Sequence, residues 1–191
     1  MSRGQAMVEF MLILPLFLFL LIAIIEFAFL FSTLNSLSFA ARDITLLGAE
    51  GGDQQGTDCT MLDDLENVLG ASSTTADISQ VEIFWSDDNG NVFLPGASNI
   101  YQRTGTWDCT TLKGAAVTLP YTLTTGGYPE TDRCTTLAGC DLLVPPHPAL
   151  DTIGVRITYT YQWKTPLSIL LQMAPELTFH ADQQMRLEPE L

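Results

Sequence analysis

Between Phe10 and Phe31 the chain reads FMLILPLFLFLLIAIIEFAFLF, an apolar block holding one charged residue, Glu26. As a helix rising about 1.5 Å per residue, the block is about 33 Å long, enough to cross the hydrocarbon of a bilayer. A buried helix of a soluble domain seldom runs this far without a polar stripe, so the pattern predicts a membrane helix. The block also exceeds the roughly 7–15 apolar residues of a cleaved secretory signal. Ser38-Phe39-Ala40 would still offer a small-residue cut site of that kind.

Past this block the pattern changes. Residues 32–49 keep helix-compatible spacing and are rich in small side chains, which predicts a stalk that continues the membrane helix as far as Gly51-Gly52. Such a stalk can pack on a partner helix or on its own head. Met61, Leu62, Leu65, Val68 and Leu69 predict a short amphipathic helix over 60–69, capped by Thr60 or Asp58. Strands are expected over 80–86, 115–124, 153–163 and 177–187. Asp88-Asn89-Gly90-Asn91 reads as a hairpin turn into Val92-Phe93-Leu94. Residues 126–148, with Pro145-Pro146-His147-Pro148, form a long loop, and 166–174 an apolar short helix or lipid-facing turn. The expected fold is α+β: a long N-terminal transmembrane and stalk helix, then a small head with an antiparallel sheet and one or two short helices.

Charge narrows the partners. A net charge of −14 with eight scattered basic residues excludes nucleic acid, which needs clustered Lys and Arg. It also disfavours an anionic lipid surface, so contact with the membrane must come from the apolar block. Cys59, Cys109, Cys134 and Cys140 all follow that block. An even count there suggests disulfides, and the spacings lack the close pairs of a zinc site. Four cysteines allow three connectivities. Cys134–Cys140 would close a local loop, leaving Cys59–Cys109 as the long-range staple.

Three residues of the apolar segment stand out: Glu9 at its entry, Pro15 within it and Glu26 near its far end. An acid in hydrocarbon is costly and needs a partner, a proton or a reach to the interface. Pro15 removes a helix hydrogen bond and is expected to kink or loosen the helix.

The run Arg3-Gly4-Gln5-Ala6-Met7-Val8-Glu9-Phe10, followed by Leu14-Pro15-Leu16, Ile25-Glu26-Phe27 and Ala40-Ala41-Arg42, resembles the N-terminal signature of the TadE-like family. That family comprises minor pseudopilins of the tight-adherence (Flp) pilus. Val155-Arg156-Ile157-Thr158-Tyr159, Thr165-Pro166-Leu167 and Met185-Arg186-Leu187-Glu188 are similar to the end of such chains. The resemblance implies cleavage by a prepilin peptidase between Gly4 and Gln5, with residues 1–4 a leader and Glu9 the fifth residue of the mature chain. It implies a retained helix over 5–50 that spans the membrane at about 10–31, a cytoplasmic N-terminus, and an extracytoplasmic head over 51–191. Partners would be the membrane, the peptidase, other pilin or pseudopilin subunits and the pilus assembly machinery. Ala28 departs from the small residue, often Gly, that follows the Glu-Phe pair in the family.

The residues do not point to an active site. His147 and His180 stand apart and form no metal-binding pair, and no nucleophile elbow or phosphate loop is present. Glu82 and the Asp87/Asp88 pair carry no glycosidase geometry in sequence. Tyr159, Tyr161 and Trp163 line one face of a strand, a pattern of core rather than of a ligand platform. The function expected is non-catalytic and without cofactor or metal. A signal-anchored cell-surface binding or adhesion protein is the alternative, and an envelope hydrolase a more distant one.

Overall fold

The computed structural model describes the chain except for residue 1 and residues 71–76, 88, 137–139, 141, 144–145, 169–171, 173 and 188–191, and except for the side chains of residues 2–6. Helix α1 runs Ser2–Gly51 without interruption, with Pro15 inside it. Helix α2 follows at Thr57–Gly70. The strands are β1 Ile78–Ser86, β2 Ser98–Gln102, β3 Trp107–Thr110, β4 Ala116–Leu119, β5 Thr122–Gly126, β6 Thr152–Gln162 and β7 Glu176–Arg186. Five of them form an antiparallel sheet in the order β5-β2-β1-β6-β7, and β3 and β4 form a separate ribbon. The fold is α+β.

The stalk packs on its own head. Leu37, Ala40, Ala41, Ile44 and Ala49 of α1 are buried, a helical stripe that lies on β6, β7 and α2. Met61, Leu62, Leu65 and Leu69 of α2 meet them in one core with Val81 and Ile83 of β1 and Val155 and Ile157 of β6. Each fully buried aliphatic side chain contributes roughly 1.5–3 kcal/mol. The helices approach closely at Gly48, where a Cβ would come within 2.8 Å of the Met61 sulfur.

The sheet's second face is held differently. Gly154 of β6 lies opposite Phe84 of β1, whose ring occupies the space a Cβ would need, at 2.4 Å. Beside it Arg156 reaches across three strands, donating to Asp182 of β7 at 2.9 Å and to Glu82 of β1 at 3.3 Å.

Several local expectations are corrected. Helix α2 starts at Thr57, and neither Thr60 nor Asp58 caps it. The Thr60 hydroxyl donates to the Gly56 carbonyl, and the N-terminal cap is the distant carboxylate of Glu130, which accepts from the N–H groups of Gly56 and Asp58 at 2.9 and 2.6 Å. The segment after the Asp87 turn makes an isolated bridge, Ser86–Val92, and not a strand. The strand that does pair with β1 is β2, further on. Asp88 of the expected turn lies outside the described residues, as do Pro145, Glu188 and much of 166–174. The strand expected over 115–124 is two, β4 and β5, parted at Pro120 and Tyr121. A proline there has no N–H for a ladder. Strand β3 was not foreseen.

Candidate functional site

The N-terminal part of α1 stands clear of the head. None of its most apolar 18-residue window is buried, and α1 is the one described helix long and apolar enough to cross a membrane. Phe10 is exposed, like its neighbours from Met7 to Met11. Gly4 and Gln5 lie on the helical backbone, with side chains outside the described set. Glu9 stands on the same uncovered segment, and Pro15 leaves α1 continuous.

Glu26 is the exception on this segment, being buried with 1 % of its surface exposed. Its carboxylate accepts from the Tyr161 hydroxyl at 2.5 Å and from the backbone N–H groups of Lys164 and Thr165 at 3.0 and 2.7 Å. Tyr161 is near the end of β6, and 164–165 begin the connection to β7. The head therefore grips α1 at two levels, at Glu26 and along the 37–49 stripe. Four lone-pair positions on a carboxylate suit three converging donors, and an ionised acceptor strengthens each bond.

A second polar cluster ties Tyr128, Arg133 and Asp151, in the connection between β5 and β6, to α2. Asp58 accepts from Asn99 and Tyr101, both at 2.8 Å, and pairs with the buried Arg133. Asn99 also donates to the Tyr128 carbonyl at 2.8 Å and accepts from the Tyr128 N–H at 3.0 Å. Tyr128 in turn donates to Asp151 at 2.8 Å, and Asp151 pairs with His147. Burial and then the Asp151 carboxylate hold the Tyr128 hydroxyl well above the usual phenol range, so it remains a donor. The His147 ring stacks 3.9 Å from that of Trp85. Among the described residues no hydroxyl or thiol is hydrogen-bonded to His147, and no group of three or more His, Cys, Asp or Glu could hold a metal ion. The cluster is an organised scaffold: each carboxylate is spent on loop, strand or helix.

Disulfides fasten the same region. Cys59 of α2 is joined to Cys109 of β3, and Cys134 to Cys140 within the loop. Tyr159 and Tyr161 are core, as their alternation predicts, and Trp163 is half-buried beside them. His147, in its proline loop, is a packing residue, whereas His180 is exposed on β7. Sequence reasoning missed Asn99, Arg133 and Asp151. The asparagine just before the β-prone pair Ile100-Tyr101 was the one local sign of the first.

Glu9, Pro15 and Glu26 thus share one helix. Residues 4–45 match the model of the TadE-like proteins. The TadE-like segment thus takes in the whole uncovered helix, Glu26 and the part of the stalk that carries Leu37, Ala40, Ala41 and Ile44. The head residues that receive it, from Tyr161 to Thr165, lie beyond the match. No curated protein and no solved structure gives a significant match to the chain.

Proposed function

We propose that the protein is a non-catalytic, pseudopilin-like minor subunit of a Flp-type (tight-adherence) pilus system, acting in assembly or in priming or tipping the fibre. The observation that carries this reading is the TadE-like match over residues 4–45, which falls on the helix that the head leaves bare. A prepilin peptidase would cut between Gly4 and Gln5 on the cytoplasmic side, removing Arg3 but keeping the helix in the bilayer. The new amine would arise where an unpaired charge is expensive, and Glu9, in this chain or in a neighbouring subunit, would offset it. The 51–191 head would stand outside the membrane, where its disulfides persist. The bare helix would then pass from lipid to contact with other pilin or pseudopilin helices and with the assembly machinery.

The test is the mature N-terminus of protein extracted from membranes, read by intact mass and N-terminal sequencing. A chain beginning at Gln5 supports the reading. A start at Met1 or Ser2 would replace it with a signal-anchored surface protein, and one near Ala41 with a secreted head. Complementation of a deletion strain adds the functional half: Glu9→Ala is expected to restore protein but not pili.

A further inference from the structure

Glu26 fixes the depth of the head relative to the bilayer. The carboxylate lies inside the apolar block, yet its acceptors are filled by backbone N–H groups of Lys164 and Thr165. Those residues belong to a turn, and Lys164 is exposed. Irregular backbone facing lipid does not occur within hydrocarbon, and a charged lysine there is costly. Residue 26 and the turn must therefore sit together at the edge of the hydrocarbon or outside it. The helix can satisfy this: residues 7–25 span about 28 Å, close to a bilayer core and within the range that tilt and thinning accommodate.

Resting on the reading of α1 as a bilayer-spanning helix, we propose that the hydrocarbon span is residues 7–25. The turn that follows β6 then lies among the phospholipid headgroups, giving the head its own lipid contact. Phe27, Phe29 and Phe31, all half or more exposed on α1, then fall in the interfacial zone above Glu26. Trp163 fits the same zone. Its indole N–H donates to the Ala174 carbonyl at 2.8 Å, and Trp is the side chain that favours the boundary between apolar and wet surroundings. Lys164 places a positive charge at phosphate level on a protein whose net charge is −14. The partner is the phospholipid surface that surrounds the helix, continuous with the bare apolar wall of α1.

The experiment uses the full chain in phospholipid nanodiscs whose acyl chains are brominated either near the headgroups or near the bilayer centre. Tryptophan emission is compared between wild type and Trp163→Phe, so that the difference isolates Trp163 from Trp85 and Trp107. That difference is expected to fall at least twofold in the shallow-brominated discs and much less in the deep ones. Phe17→Trp in the Trp163→Phe background reports insertion, with quenching by the deep bromines. An inserted chain whose Trp163 emission neither lipid quenches overturns the proposal and leaves the turn free for protein contacts. A Phe17→Trp reporter that is not quenched overturns the membrane-spanning reading itself, and the depth assignment with it. If Trp163→Phe disturbs folding, Lys164→Trp at its exposed position supplies the same readout as added signal.

Discussion

The Tyr161 hydroxyl meets the Glu26 carboxylate at 2.5 Å, although 135 residues of chain separate them. A strand of the head thereby recognises one residue of the apolar helix, and the two neighbouring backbone N–H groups complete the recognition. Glu26→Ala leaves a hydroxyl and two amides without an acceptor, a loss of about 2–4 kcal/mol by the cost of buried unpaired donors. Tyr161→Phe removes one bond and should cost about 1 kcal/mol. Thermal unfolding in detergent, with amide exchange at residues 164 and 165, measures both. An Ala variant as stable as wild type, with unchanged exchange, would show that the carboxylate does not hold the head.

Arg133 is fully buried against Asp58 and lies over the Tyr128 ring at 5.0 Å. Arg133→Met strands a buried carboxylate, and the expected destabilisation is about 3–5 kcal/mol. Combining it with Asp58→Asn, which removes that charge, should recover part of the loss. A double-mutant cycle by urea unfolding decides, and strict additivity would refute the coupling.

Asp64 gives a pH signature. Burial first, and then the neighbouring Asp43, raise its pKa above the ordinary 3.8, and its Oδ2 is buried without a partner. A carboxyl whose folded value is raised favours the fold while protonated. Its contribution is complete below about 3.8 and is lost as pH rises through the folded value. Asp64→Asn should therefore raise the midpoint of thermal unfolding at neutral pH and leave it nearly unchanged near pH 3. An equal gain at both pH values would count against this origin.

Closing the fifty-residue interval between Cys59 and Cys109 restricts the unfolded chain by about 4 kcal/mol in the loop-entropy account. Replacing both cysteines by serine should lower stability by about that amount. Replacing Cys134 and Cys140, six residues apart, should cost about half as much. The order of the two denaturation midpoints is the measurement, and a reversed order would contradict the argument.

At Gly154 a methyl group would collide with the Phe84 ring. Gly154→Ala is expected to destabilise by about 1–3 kcal/mol, as overpacking does. Phe84→Leu should relieve much of that penalty in the double variant, measured by the same unfolding experiment.

What could be read from the sequence followed from periodicity and composition. The apolar run, the stalk's small residues and the β-branched stretch of β6 each carry a local signal. Strands β6 and β7 stand within a residue of where those signals placed them, and α1 covers the apolar run and the stalk but starts earlier, at Ser2. The missed parts depend on long-range partners. Strand β2 is five residues built around Asn99, a polar side chain explained only by Asp58 and the Tyr128 backbone. The start of α2 was misread because its cap, Glu130, arrives from more than seventy residues away. Glu26 was visible as an anomaly in an apolar helix, but nothing local could name Tyr161 as its donor.

Because α1 is one helix from Ser2 to Gly51, membrane and head share a single rotor. Each residue turns the helix by about 100°, so the azimuth at which Glu9 and the bare wall face their surroundings is geared to the heading of the sheet. One residue inserted between Glu26 and Leu37 would put that gearing out of phase: the upper grip could hold or the lower, but not both. Torque applied at the N-terminal end would likewise arrive at the head as rotation, since α1 is continuous from one to the other.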